Sequence, residues 1–494
     1  MRYFAPNYVA RSFTAALSSF ISFSAAFFVL LVTRAHYGTD FAITIGAVGS
    51  VFGLISVASA GFTVHTLMSS AKPFGALRAT RESAGSDGSA GSAESVQASV
   101  DVSEPSEVDS DRAELRSLVV AEFRPALTMT AIVAVAALAL SLWGPHIFGV
   151  SPEYFYPYWW PYLVVLLLGP LTAVIAGLTQ SAAQDGFGLW VSVLSTGLTV
   201  ASAIVGIVIG LDAHIALALI GVTSVAVRLL TVAMRLSRLR EFRIGIVAGL
   251  WQAARPGRAR GWRAFSPFPA FLTTIDGFVF LLTYTVAISV ASHHSPADGA
   301  MVALIVSLMR ALIVPIKQLG IVGGRMSRQS RLSPAEAAGT AEISAVGEVI
   351  GAAEATGSLV RRTDLRVVTF SSSVVTTSAG VLALILMLTG AIHISPLPLM
   401  LLVTAQVLCE PWAGILFSFL KVASGPKLGL SALVVSYLGL GVLGLLVIGL
   451  AGHGEAVTVW AWMVVIRLVF MGFMVRPTRR WIRDGSAAAP VRAG

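Results

Sequence analysis

The chain has 494 residues, 56% of them hydrophobic and 12% charged, with a formal net charge of +9. That composition excludes an ordinary soluble domain. The single cysteine, Cys409, excludes an internal disulfide or a cysteine-built metal cluster and reads as a small packing residue.

A bilayer core about 30 Å thick takes about 20 apolar residues per helical crossing. Twelve segments qualify, at roughly 13–33, 42–68, 125–148, 160–181, 188–210, 213–234, 269–291, 299–322, 367–390, 395–420, 428–450 and 456–475. The strand alternation of an outer-membrane barrel is absent, so the fold class is an all-α polytopic membrane protein. The first stretch is longer than a signal-peptide core and lacks a convincing cleavage site, so it reads as a retained span. Between spans two and three, residues 82–111 carry eight acids and no Lys or Arg. This predicts a disordered acidic insert over about 74–113, either a solvated linker or a regulatory contact. At the start of span four, Tyr154, Phe155, Tyr156, Tyr158, Trp159, Trp160 and Tyr162 read as an aromatic belt at headgroup level, with sugar stacking as the sharper option. Residues 241–268 join spans six and seven. Arginines from Arg235 to Arg263 flank an apolar stretch, Ile244–Trp251, in the pattern of an interfacial amphipathic helix lying against anionic lipid; a plain linker is the simpler reading. Residues 484–494 read as a flexible tail.

Lys and Arg concentrate in alternate loops, while the opposite set holds only Arg34. By the positive-inside rule both termini are cytoplasmic, and the even span count requires the same. Because the basic residues flank the membrane, their partner is lipid headgroup and not nucleic acid. Seven of the eight histidines lie on or beside the opposite loops, and His65 is the exception. Chance exposure and a pH response are both open.

The second half repeats the first. Gly169-Pro170 corresponds to Glu410-Pro411, and Gly188 to Gly429 at the same offset. The domains follow as an N-lobe over 1–240, the linker 241–268, and a C-lobe over 269–483. A helix-breaking proline in equivalent mid-membrane helices is a pointer to a transporter's working site, and Pro170 and Pro411 are the expected hinges.

Ionisable residues inside spans are costly and face a cavity or a partner. Arg310 lies near the middle of span eight, about 15 Å from either end. Lys317 follows two turns later on the same face, with Pro315 between them freeing a backbone carbonyl. These two cations are expected to line a polar cavity, the alternative being structural pairing with an acid. Glu410 in span ten either pairs with a cation or stays protonated. With Asp276 in span seven it is a candidate coupling or gating group. Arg228 and Arg467 occupy nearly equivalent places in spans six and twelve and are secondary candidates, able to snorkel to the interface. No phosphate-cradling loop, zinc motif or outer catalytic domain is found, so an enzyme is not expected.

Twelve spans in two pseudo-symmetric lobes, a basic central linker, and two local stretches resemble a known family. The stretches are LVTRAHYGTDFAITIGAVGSVFGLISVASAG over Leu31–Gly61 and the turn Gln180–Gly188. Together they look like the multidrug/oligosaccharidyl-lipid/polysaccharide (MOP) exporter superfamily, with its MATE-like fold, and within it the polysaccharide flippase branch. The resemblance implies a bacterial cytoplasmic-membrane flippase. Its cargo would be an undecaprenyl-linked oligosaccharide held by Arg310 and Lys317, coupled to H+ or Na+, with no other cofactor. A polysaccharide polymerase or glycosyltransferases would be its partners. A cation-coupled multidrug exporter using Asp276 and Glu410 is the alternative, and a non-transporting scaffold for envelope assembly is a second.

Overall fold

The computed structural model describes residues 4–86, 107–182, 185–242, 244–255, 266–272, 274–337, 346–424 and 429–484, and every regular element among them is helical. In lipid each backbone polar group must be satisfied inside its own segment, which leaves helices as the solution for apolar runs of this length. The first lobe contains α1 (Phe4–Tyr37), α2 (Thr39–Ser86), α3 (Glu107–Phe148), α4 (Pro152–Ser181), α5 (Asp185–Ile209) and α6 (Ala213–Leu239). Two short helices follow, α7 (Ile246–Ala254) and α8 (Phe268–Leu272). The second lobe contains α9 (Ile275–His294), α10 (Pro296–Ala337) and α11 (Val346–Leu388). Its fourth span is α12 (Leu397–Leu408), a π-helical turn over Pro411–Ile415, and α13 (Leu416–Ser424). Its fifth is α14 (Leu430–Leu433), a π stretch over Val434–Leu443, and α15 (Gly444–Leu450); α16 (Ala456–Asp484) closes the chain.

Among the described residues, eleven helices are long and apolar enough to cross a membrane. The twelfth expected span lies in α1, which packs lengthwise against α10 and α5. The duplication is visible in the packing. In the first lobe α2 and α3 pack on each other and on α4, α4 packs on α6, and α5 packs on α1 and α6. The second lobe repeats this with α10, α11, the α12–α13 span, α16, the α14–α15 span and α9 in the same roles. The lobes meet through α1 on α10, α9 on α2, and α2 on α10.

The start of α1 and the end of α16 lie at one end of the bundle, here the near end. There Tyr8 donates to Leu319 O at 3.2 Å, and the rings of Phe419 and Trp481 meet at 5.1 Å. At the far end Arg34 donates to His393 O at 3.2 Å, and Ser289 donates to Ile147 O.

Three expectations change. The acidic insert is shorter than 74–113, since α2 runs to Ser86 and α3 starts at Glu107. Ala, Leu, Arg and Glu at its edges favour helix once nucleated by the spans; residues 87–106 lie outside the described set, as does the tail from 485. The aromatic run is not a surface belt, because Phe155, Tyr158, Trp159 and Tyr162 are buried and Trp160 is exposed. Their spacing of three, one and three places them on one helical face turned inward, and Trp159 Nε1 donates to Ser141 Oγ of α3 at 2.7 Å. The linker does form a helix, α7, but its inner face is docked on protein: Gly249 packs on Val119 of α3. Val247 and Trp251 point outward, with the Arg255 guanidinium 5.9 Å from the Trp251 ring.

Candidate functional site

The lobe interface rests on one face of α2, where Gly46, Gly49 and Gly53 let α10 approach. A Cβ at Gly46 would collide with Ala303, and one at Gly53 would lie 2.7 Å from an Arg310 guanidinium nitrogen. Small residues at this spacing are how helices in lipid come into backbone contact. Arg310 thus crosses from the second lobe into the first. It is buried, and Nη1 donates to Gly49 O at 2.6 Å. Its Nε has no hydrogen-bond partner, and among the described residues no carboxylate lies within ion-pair distance. The guanidinium faces a cavity lined by α1, α2, α4 and α5, including Phe52, Tyr158, Tyr162 and Thr199. The cavity offers about 70 Å³ to the centres of water-sized molecules. One water needs at least about 10–15 Å³ on this measure, so there is room for a few waters or one phosphate-sized group. Its lining residues include one cation, Arg310, two phenols, and no acid.

Lys317 is in a different place. Although it shares a helix face with Arg310, its Nζ lies 3.4 Å from the centroid of the Phe280 ring in the core of the second lobe, a cation–π contact. The two cations therefore occupy separate surroundings: a pocket in the first lobe and an aromatic core in the second. Helix α10 runs unbroken through Pro315.

Glu410 is 0% exposed and Arg467 is 1% exposed, with Nη1 of Arg467 3.0 Å from Oε2 of Glu410. Arg467 does not snorkel. Its Nη2 donates to Tyr284 O–H at 3.3 Å, and its guanidinium lies 4.6 Å from the Phe280 ring and 5.6 Å from the Tyr437 ring. Gln406 also donates to the Tyr284 hydroxyl, at 3.0 Å. The local backbone explains why the pair meets here. Pro411 has no N–H, so the ladder slips into a π turn in which Ile415 N donates to Glu410 O at 3.1 Å. Gly414 then leaves the space into which the Glu410 carboxylate and the Lys317 side chain fit. The second π stretch, Val434–Leu443, delivers Tyr437 to the same cluster. In the first lobe Pro170 sits inside α4, assigned as α-helix throughout.

Asp276 is paired with Lys421 of α13, Nζ to Oδ1 2.5 Å. Lys421 lies just past the span expected over 395–420, and α13 carries the helix on to Ser424. Arg228 is half-buried on α6 with its Nε unpartnered. Glu122 lies outside the span expected over 125–148, yet α3 runs straight through Pro125 and includes it. Glu122 is buried against His65, Thr66 and Ser69 of α2. At the far end His294 Nδ1 lies 2.9 Å from Asp298 Oδ2 and its Nε2 3.8 Å from Glu455 Oε1, tying the α9–α10 turn to the start of α16. No group of three or more metal-ligating side chains is found among the described residues.

No protein-family model matches the chain, and no curated protein matches it by sequence. Its fold does have solved counterparts. A MATE in the straight conformation superposes with a TM-score of 0.56 over 97% of this chain and 96% of that one, at 12% identity. An outward-facing multidrug resistance MATE family transporter of the MOP superfamily gives 0.55 over 96% and 95%, also at 12% identity. A MATE in the bent conformation gives 0.52 over 97% and 95%, at 14% identity. At such identities the likeness is one of fold: a MATE-like, multi-pass helical membrane protein over nearly its full length.

Proposed function

We propose that this protein is a membrane transporter that flips a lipid-linked oligosaccharide, by alternating access of its two lobes, across a bacterial cytoplasmic membrane with the near end inside. The observation carrying this reading is the state of the buried charges. Two buried carboxylates of the second lobe are paired with cations, Glu410 with Arg467 and Asp276 with Lys421. The buried charge that faces the first-lobe cavity is a cation from the second lobe, Arg310. An unpaired guanidinium in low dielectric favours a phosphate or acidic sugar, which its fork can hold bidentately. The cavity is far too small for the whole cargo, so the lobes must part to admit it, and a cargo phosphate would replace Gly49 O as the partner of Arg310. Lys317 is a second cargo cation, reached once the second-lobe core opens. Glu410 and Asp276 would exchange their cations for a proton or sodium ion in step with that opening, and Pro411 with its π turn is the place where span ten bends.

A second reading, cation-coupled multidrug export, has equal support from the fold and rests on Asp276 and Glu410. Two transport assays in proteoliposomes separate them. Flipping predicts that Arg310→Ala lowers translocation of a labelled lipid-linked oligosaccharide at least tenfold, the equivalent of about 1.4 kcal/mol. Export predicts that Arg310→Ala is silent while Asp276→Asn and Glu410→Gln stop movement of a cationic dye.

A further inference from the structure

Helix α6 carries two cations whose place differs from that of every pair in the second lobe. Leu217, Gly221, Ser224, Arg228, Arg235 and Leu239 follow one another at intervals of four, three, four, seven and four, so they share a sector of about 60° on one helical face. That face is the inward one. Leu217, Gly221 and Leu239 are buried, a Cβ at Gly221 would lie 3.0 Å from Pro161 of α4, and Ser224 Oγ donates to the Tyr162 hydroxyl at 3.2 Å. Arg228 thus follows, one turn on, the residue that touches the Arg310 pocket. Neither arginine finds a partner in the protein. Both are half-buried, and Nε of Arg228 is closed off from solvent without a hydrogen bond. Among the described residues no carboxylate lies within ion-pair distance of either; Glu241 is 4.0 Å from Arg238 instead. Helix α6 packs on α4 and α5, and neither Pro161–Ser181 nor Leu189–Ile209 contains an acid. Arg235 is also close enough for its charge to act on Arg228. Like charges held together away from bulk water call for a counter-ion from outside the chain.

Depth decides which counter-ion is at hand. Helix α6 starts at the far end with Ala213, and the rise from there to Arg228 is about 22 Å in a hydrocarbon core about 30 Å thick. Arg228 therefore lies within about 8 Å of the near boundary, and Arg235, two turns on, is at headgroup level. The anion of that level is lipid phosphate, which a guanidinium fork holds bidentately. We propose that Arg228 and Arg235 form a binding site on the inward face of α6 for the phosphate group of a lipid of the near-side leaflet. Two lipids carry that chemistry, an anionic membrane phospholipid and a polyprenyl pyrophosphate. Binding itself does not require flipping. The pyrophosphate as ligand rests on the flippase reading, and such a cargo would be held here before it reaches Arg310.

Native mass spectrometry of the full chain in detergent tests this by counting the lipids that stay bound. The probes are phosphatidylglycerol, phosphatidylcholine, a polyprenyl pyrophosphate and inorganic phosphate. The native protein should hold phosphatidylglycerol or the polyprenyl pyrophosphate at least about tenfold more tightly than phosphatidylcholine, and the tighter of the two identifies the lipid. Arg228→Gln with Arg235→Gln should lose that preference. Arg228→Lys with Arg235→Lys, which keeps the charge without the fork, should retain part of it. The glutamine variant, freed of two unpaired charges, should melt no lower than the native protein in phosphatidylcholine alone. Repeating the comparison in an Arg310→Ala background should leave the dependence on Arg228 and Arg235 in place, so a failure of the Arg310 reading does not carry over to this one. The proposal is overturned if the native protein does not discriminate among the lipids, or if the glutamine variant discriminates as the native protein does. It is equally overturned if the glutamine variant melts lower, since the arginines then have partners within the protein, or if inorganic phosphate binds as tightly as the anionic lipids.

Discussion

At the scale of single residues, the second-lobe core is decided by one ion pair in a nearly solvent-free place. Breaking a buried pair from one side strands a charge, at a cost of about 3–5 kcal/mol, whereas replacing both members with apolar groups can be neutral. Arg467→Met should therefore lower unfolding stability by that amount in detergent, and Arg467→Met with Glu410→Leu should recover most of it. Additive losses in the double variant would contradict the pairing. Gly414→Ala should cost about 1–3 kcal/mol by overpacking, because the new methyl falls where the Glu410 carboxylate and Lys317 lie; a thermal melt reads it directly. These residues were legible as ionisable groups at membrane depth, but their partners were not. Arg467 follows Glu410 by 57 positions, and nothing local says that a long side chain turns inward instead of snorkelling. Arg310 and Lys317 share a face by helical arithmetic, yet α2 covers one and Phe280 receives the other.

At the scale of elements, the two equivalent prolines have unequal consequences. Pro170 is accommodated within α4, so Pro170→Ala restores a backbone donor and should raise the melting temperature. Pro411 sustains a π turn that aims Glu410 at Arg467. Pro411→Ala should let span ten regularise, leaving stability level or higher while translocation falls. A melt and a flux assay on the same preparations distinguish the two outcomes. The spans themselves were readable from apolar length, and the repeat from Gly169-Pro170 against Glu410-Pro411, because composition and proline act locally. The π geometry was not, since a proline permits several local solutions and packing selects one. The aromatic run at the start of α4 carried its own answer: Phe155, Tyr158, Trp159 and Tyr162 follow helical periodicity, and that period outweighs a belt reading. Glu122 was hidden by the opposite habit, taking Pro125 as a boundary that the helix ignores.

At the scale of the molecule, the lobes are alike in packing and unlike in charge, and they meet through glycine-lined contacts on α2 with hydrogen bonds at the far end. If transport requires the far end to part, Ile147→Cys with Ser289→Cys in a Cys409→Ala background should cross-link under oxidation, arrest translocation, and recover it on reduction. Undiminished flux in the cross-linked protein would rule out that movement. In the proposed transport cycle Arg310 of one lobe, seated in the other, recognises an anionic group of the cargo. This recognition is tested most directly by comparing, in proteoliposomes, translocation of a fluorescent lipid-linked oligosaccharide carrying a pyrophosphate with that of a neutral-linked analogue. The native protein should favour the charged cargo by at least about tenfold, and Arg310→Gln should move the two alike. Equal rates in the native protein, or an undiminished preference in Arg310→Gln, would contradict it.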